Sequence, residues 1–415
     1  MSVKILHFAD AHIDAYTGGR FDTKTGFSYH TNDFLKALDE IVDTAIAEQV
    51  RLVLFAGDAY RSATPVPTFQ REWQRRMIRL SQARIPLLMI PGNHDIANGA
   101  FKASSLQEMD TLQIPYIHLA AGGVHLYTPE ELDGVPLQVL AVPWMPTSLV
   151  SARDKDNKKT PEERAAEMEN EIIRRVQRGI EASDPALPLV LLTHYSVQGC
   201  SYPSGQTASL GRDVTLSRSL VCDSSFSYTA LGHVHLFQDL NEGQQPPVIY
   251  PGSIERVDYG EAREKKGFII AEIDNHHTEY SFRELHTRAM YNIQFKAENA
   301  ETMQEDLLNV LPSPEKARDA MIRLTITYPH EFESKFSERE LRKQVEGALD
   351  FQLKRKPVYE NRMRIQSKNV SSLTPNELLT TYCQITKTTE KETEALCALA
   401  EDIFRESETI LQKDL

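Results

Sequence analysis

Apolar and polar positions follow two rhythms along the first third of this chain. The stretches "VKILHFAD", "RLVLFAGD" and "IPLLMIPGNHD" are short apolar runs that end in polar residues, the pattern of strands buried on both faces. Between the first two, residues 32–50 carry Phe34, Leu38, Ile41, Val42, Ala45 and Ile46 on one stripe at helical spacing. Residues 68–84 repeat that amphipathic pattern before the third run. Strand–helix–strand repetition predicts right-handed crossovers and a covered sheet.

The middle of the chain supplies further strands with polar tips: "PLQVLAVPW", "LPLVLLTHYSVQG", "SYTALGHVH", "PPVIYPGSIERVDYG" and "GFIIAEID". A charged loop and a helix, residues 151–183, separate the first two of these, and that charge run reads as a solvated face. From about Arg288 the pattern shifts to a small β-α-β-α-β arrangement, and two helices follow "SKNVSSLTP", the first capped by Ser372 or Thr374. Leu378, Leu379, Leu396, Leu399 and Ile403 form helical stripes there, either for a partner's helices or for folding back on the chain. No internal repeat is visible.

Length and charge narrow the picture. A chain of 415 residues suggests two or three domains. Cys200, Cys222, Cys383 and Cys397 form no CxxC and no disulfide framework, which favours a reducing compartment. The start "MSVKILHFAD" reaches a charged residue too early for a signal peptide, and no apolar run approaches the ~20 residues of a membrane span. A cytoplasmic protein with no membrane partner is expected. The net charge of −13 weighs against a protein that simply coats nucleic acid. The best local basic patch is Lys354, Arg355 and Lys356, which would contact phosphates or form a solvated strand edge.

The chemistry sits at strand ends. Asp10 and His12, then Asp58, then Asn93, His94 and Asp95, then His194, then His233 and His235 each follow an apolar run. In open α/β sheets, sites form outside the carboxyl ends of strands, so five such ends can share one crevice. Carboxylates, imidazoles and one carboxamide without thiolate suit Mn, Fe or Zn, and there are too many donors for one ion. Two ions about 3.5–4 Å apart need a bridging carboxylate with ligands on both flanks. Asp58 is the natural bridge. Asp10, His12 and His235 would serve the first ion; Asn93, His194 and His233 would serve the second. His233 and His235 lie roughly 6–7 Å apart on an extended backbone, enough to give each ion one imidazole. His94 would protonate a leaving oxygen, with Asp95 orienting it. The implied reaction is phosphoester hydrolysis.

The ordered set "DAH", "GD", "GNHD", "TH" and "GHVH" resembles the calcineurin-like metallophosphoesterase superfamily. "HFADAHID", "THYSVQG", "GRDVTLSRSLV", "YTALGHVHLFQDL" and "YPGSIERVDYGE" are similar to the SbcD-type nuclease subunits of double-strand-break repair complexes. The resemblance implies an α/β (α+β) fold: a β-sandwich flanked by helices over residues 1–285, a small α/β DNA-capping domain over 288–366, and a helical ATPase-partner-binding segment over 367–415. It implies two manganese ions on Asp10, His12, Asp58, Asn93, His194, His233 and His235, with His94 catalytic. The implied activity is a 3′-to-5′ exonuclease on duplex DNA ends and an endonuclease on single strands and hairpins. The implied partners are an SbcC-type ABC ATPase and a second copy of the chain, at the nucleoid.

One position departs from the pattern: archaeal and eukaryotic members carry a histidine three residues after the bridging aspartate, where this chain has Arg61. Arg61 would contact phosphate or be an ordinary surface arginine. Ser253 would sit where backbone approaches phosphate, and Arg256 would position the DNA backbone or pair with Glu255 or Asp258. Two competing readings remain: a small-molecule or nucleotide phosphodiesterase on the same scaffold, and a non-catalytic scaffold for the ATPase. His7, His30, His118, His125, His276, His277, His286 and His330 fit no strand-tip pattern and read as structural or exposed.

Overall fold

The computed structural model describes residues 2–15, 19–96, 104–146, 159–204, 214–275, 277–359, 374–385 and 388–411. The loop 151–158, His276, Ser372 and the boundary expected at 366–367 lie outside the described residues.

The apolar runs become strands whose two faces have separate destinations. In β1 (Val3–Phe8), Val3 and Ile5 enter one core while Leu6 and Phe8 enter another. β2 (Leu52–Phe55) and β3 (Leu87–Met89) divide in the same alternating way, and β4 (Ile117–Leu119) adds Ile117 and Leu119 to the second core. Helix α1 (Tyr29–Ala47) covers that second core with Phe34, Leu38, Ile41 and Val42. It starts a few residues earlier than its apolar stripe because the Ser28 side chain accepts from the Thr31 amide and caps it. Helix α2 (Pro67–Gln82) adds Trp73, fully buried beside Phe8 and Phe55, with ring centroids 6.4 and 4.8 Å away.

The next strands are β5 (His125–Tyr127), β6 (Gln138–Val142), β7 (Leu189–His194), β8 (Ser196–Val197), β9 (Thr215–Leu216), β10 (Tyr228–Gly232), β11 (Gln238–Asp239), β12 (Val248–Tyr250), β13 (Gly267–Ile273) and β14 (Thr278–Glu284). Among the described residues, one six-stranded sheet runs β14-β13-β1-β2-β3-β4 and another runs β11-β12-β10-β7-β6-β5, with β8 and β9 paired apart. β1 to β4 are mutually parallel, as are β6, β7, β10 and β12. The sheets stack face to face: Ile5 and Leu54 from the first meet Val139, Val190, Leu192 and Ala230 from the second. The Pro161–Ala182 helix, started by a Thr160–Glu163 capping box, covers the outer face of the second sheet through Met168, Ile172 and Val176. The result is the expected β-sandwich flanked by helices.

A small β-α-β-α-β region follows, with β15 (Met290–Lys296), β16 (Met321–Pro329) and β17 (Asp350–Val358) in that sheet order. The chain divides into two compact units. One comprises Met1–Phe295, Gln304–Thr325 and Ser337–Lys354; the other comprises Lys296–Met303, Ile326–Phe336 and Arg355–Leu415. The second contains a helical hairpin, Pro375–Ile385 and Glu390–Leu411. Thr374 with Glu377 and Thr389 with Glu392 cap its two helices reciprocally. Tyr382, Leu399 and Ile403 are exposed on it. No helix among the described residues is long and apolar enough to cross a membrane.

Candidate metal centre

The parallel strands of both sheets end at one place. Asp10 and His12 follow β1, Asp58 follows β2, Asn93 follows β3, His194 ends β7, and His233 and His235 follow β10. The crossing point is tight. A Cβ on Gly92 would run into the Asp58 carboxylate and the His194 ring, and one on Gly232 would run into the Ala56 carbonyl. Asp10, His12, Asp58 and His233 all take positive φ (52°, 39°, 63° and 95°), a region costly for residues with a Cβ. Cross-strand bonds hold two of them there, Asp10 N–H to Gly57 O at 2.9 Å and His12 N–H to Asp58 O at 3.1 Å. Strain of this kind persists where surrounding structure over-determines it, and it concentrates at working sites.

The donors fall into two groups. In the first, His12 Nε2 lies 3.2 Å from His235 Nε2. His12 Nδ1 faces the Tyr60 carbonyl at 3.2 Å, and His235 Nδ1 faces Glu261 Oε1 at 2.7 Å. With both Nδ1–H groups given outward, two Nε2 lone pairs meet across one space, a geometry that calls for a cation between them. In the second group, Asn93 Oδ1 lies 3.2 Å from His194 Nε2 and 2.9 Å from His233 Nδ1. The neighbouring histidines 233 and 235 therefore go to opposite groups. Asp58 Oδ2 stands between the groups, 3.3 Å from His194 Nε2 and 3.7 Å from His12 Nε2, while its Oδ1 accepts the His94 amide. Asp10 joins His12 and His235 on one side and Asp58 and His194 on the other, each trio with its donor atoms within 4.8 Å of one another. This mixed N/O set, shared across two carboxylates, fits two divalent cations.

The electrostatics agree. Burial pushes the Asp10 carboxyl up to about 6, with Asp58 adding to the rise against His194 and His235. Burial also opposes the Asp58 charge, yet His194, hydrogen-bonded to it, and His12 carry that carboxyl well below its usual range. His194 loses by desolvation but is raised to about 9 by Asp58. A proton on His194 would have to leave before its ring could take a cation. Burial lowers His12 and His233 to about 3, so both are ready as neutral ligands.

His94 is exposed at the rim, its ring edge-on to His12 at 5.2 Å. Its Nδ1 faces the Arg61 carbonyl at 3.0 Å. Asp95, expected to orient His94, has both its oxygens taken by amides and a hydroxyl. It accepts from Asp58 N–H at 2.8 Å, Gly92 N–H at 3.0 Å, Ala59 N–H at 3.1 Å and Ser105 Oγ at 3.3 Å. Asp95 braces the loops that carry Asp58 and Asn93. The Arg61 backbone orients His94 instead, and Asp14 in turn accepts the amides of Arg61 and Ser62. The Arg61 residue itself is exposed.

Two further expected site residues have their polar atoms engaged within the protein. Ser253 is wholly buried; its Oγ donates to the Glu255 carbonyl at 2.9 Å and accepts from Lys266 at 2.9 Å, out of reach of a substrate. Arg256 spends its guanidinium on Glu261 O, Glu264 O, Thr287 Oγ1 and Arg288 O, so it staples the 256–264 turn to residues 287–288. Of the two readings given for His7, structural or exposed, the structure has it buried and bonded between Tyr228 Oη and Leu231 O. Sequence reasoning missed Glu261 and Lys266. Glu261 sits on a short turn (Tyr259–Glu261) capped by Asp258, and Lys266 has no exposed surface at all. Neither occupies a strand tip, so no spacing rule points to them.

A sequence profile described as calcineurin-like phosphoesterase matches residues 3–237. The chain is 24% identical over 329 residues to the DNA double-strand break repair protein Mre11 of Archaeoglobus fulgidus, covering 76% of this chain and 66% of that one. It is 25% identical to the SbcD component of the SbcCD nuclease of Staphylococcus epidermidis, covering 66% of this chain and 67% of that one. It is 24% identical to Mre11 of Thermoplasma acidophilum, covering 65% and 62%. The matches thus span roughly two thirds of these relatives' own length.

Proposed function

The chain belongs to the calcineurin-like phosphoesterase family, and from that premise we propose that it is a DNA phosphodiesterase of double-strand-break repair, cutting at a centre of two divalent cations. The observation that carries this is the convergence of seven donor side chains from five strand ends, with Asp58 Oδ2 between the two groups. The relatives' names as repair nucleases favour DNA over a small diester. Manganese suits the nitrogen–oxygen donor set. In this reading the chain trims duplex ends 3′ to 5′, nicks single strands and hairpins, pairs with a second copy, and works beside an SbcC-type ATPase.

Bound cations would neutralise the phosphate and supply a water of lowered pKa. The chain's own residues place the reaction. Asp58 sets the spacing of the two halves, Asn93 and the histidines fix their orientation, and Asp95 holds both loops by their amides. With Nδ1–H given to the Arg61 carbonyl, His94 keeps Nε2 for the proton that goes to the departing oxygen.

The test runs end-labelled duplex DNA with manganese beside a small chromogenic phosphodiester and an Asp58→Ala control. Shortening of the DNA by the wild type alone is expected. Cleavage of only the small diester would keep the centre and discard the DNA assignment. Cleavage of neither would favour a binding role for the ATPase partner.

A further inference from the structure

The two halves of the centre are supported differently. Behind His194 stands a neutral group, the Ala56 carbonyl, facing its Nδ1. Behind His235 stands a charge: Glu261 Oε1 lies 2.7 Å from its Nδ1. Glu261 is nearly fully buried. Its Oε2 accepts from the Val257 amide at 3.1 Å, lies 2.7 Å from Lys266 Nζ, and has Ser253 Oγ, whose proton goes to the Glu255 carbonyl, 3.3 Å away. Lys266 is completely buried, and its ammonium has three partners for three N–H bonds: Glu261, Ser253 Oγ and the carbonyl of His235 itself. A lysine buried this deeply without such pairing would be costly. The lysine thus grips both the backbone of His235 and the carboxylate that holds its ring.

A buried carboxylate on the outer nitrogen of an imidazole fixes the tautomer, aims the inner nitrogen and strengthens it as a donor. A carbonyl does the first two with less effect on basicity. Removing such an outer partner typically costs about 10–100-fold in metal affinity. We infer that Glu261, locked by Lys266, is the positioning residue for the Asp10–His12–His235 half of the centre, and that this half alone depends on it. The inference rests on the two-ion reading of the centre. It assigns Glu261 no contact with substrate.

The test titrates manganese into metal-free full-length wild type, Glu261→Gln, Glu261→Ala and Lys266→Met, followed by calorimetry and by the electron paramagnetic resonance of bound Mn(II). Wild type should bind two ions that couple magnetically. Glu261→Ala should weaken one ion about 10–100-fold and leave the other within about threefold, so that one isolated Mn(II) signal replaces the coupled pair at sub-saturating metal. Glu261→Gln keeps an oxygen for the Nδ1–H but removes the counter-charge of the buried Lys266, so it should melt lower than wild type and weaken the same single ion by a smaller factor than Glu261→Ala. Lys266→Met should shift that ion in the same direction. Two ions bound by Glu261→Ala and Glu261→Gln at wild-type affinity would overturn the inference while leaving the two-ion centre standing. So would equal weakening of both ions alongside a lowered melting temperature, the mark of a merely structural role. A wild type that binds fewer than two ions would overturn the reading beneath it as well.

Discussion

The His12–His235 side of the centre and the His194–His233 side each use two imidazoles but have different backing. One imidazole on the first side leans on a buried ion pair, Glu261 with Lys266; His194 on the second leans on a backbone carbonyl. The first side has a further charge, Glu261, outside its donor set. The second draws its charge from inside, through the Asp58–His194 pair. The lesson is that a symmetric-looking set of ligands need not make two equal sites. Asp58, standing between them, is the one residue both sides share most closely.

The largest break in the comparison should come from Asp58→Ala. Both halves lose their shared oxygen, so cleavage should fall below detection and neither ion should bind tightly; retention of one tight ion by metal analysis would contradict the bridging position.

His94→Asn should be next. It removes the proton carrier and no donor, so kcat should fall by about 10²–10⁴-fold while both ions remain. Loss of metal together with activity would place His94 among the structural supports.

Smaller in rate but visible in stability, Asp95→Ala leaves the amides of Asp58, Ala59 and Gly92 without an acceptor. Unsatisfied buried donors cost about 1–3 kcal/mol each, with poor additivity. Chemical denaturation should show a loss on the order of 3 kcal/mol. If Asp95 instead acted mainly through His94, the rate would fall without this loss.

The smallest effect is a slope with pH, and it separates the two sides. His194 is raised to about 9 by Asp58 in the metal-free chain. Because the folded value lies above the unfolded one of about 6.5, the stability from this pair is present below that value and lost as pH rises through about 9. Ion binding has the opposite sign, since His194 must give up its proton. Between pH 7 and 9 the metal-free melting temperature should therefore fall, while affinity for the second ion rises by up to about tenfold per pH unit. A flat affinity would show that His194 is already neutral.

Much of the fold was legible because burial writes itself into local pattern. The β1, β2 and β3 runs are apolar on both faces, and the α1 stripe repeats at helical spacing, so strands, helices and layering could be read directly. The donors were legible for a related reason: polar residues after an apolar run have little else to do at the end of a buried strand. Arg256 and Ser253 show that a residue's neighbours in sequence do not say whether its polar atoms are already taken. Asp95 is similar: adjacency to His94 suggests a partnership, while its oxygens accept the amides of Gly92, Asp58 and Ala59.

By itself, then, the order of residues determined which strands form, that their tips carry carboxylates and imidazoles, and that His233 and His235 can serve two places at once. Only the tertiary structure decided which oxygen lies between the halves, that the Arg61 carbonyl and not Asp95 holds His94, and that Glu261 and Lys266 stand behind His235. The reason is physical. Alternation and helical period are properties of neighbours along the chain, whereas a contact across 223 positions of sequence, such as His12 Nε2 to His235 Nε2, exists only once the two sheets have stacked.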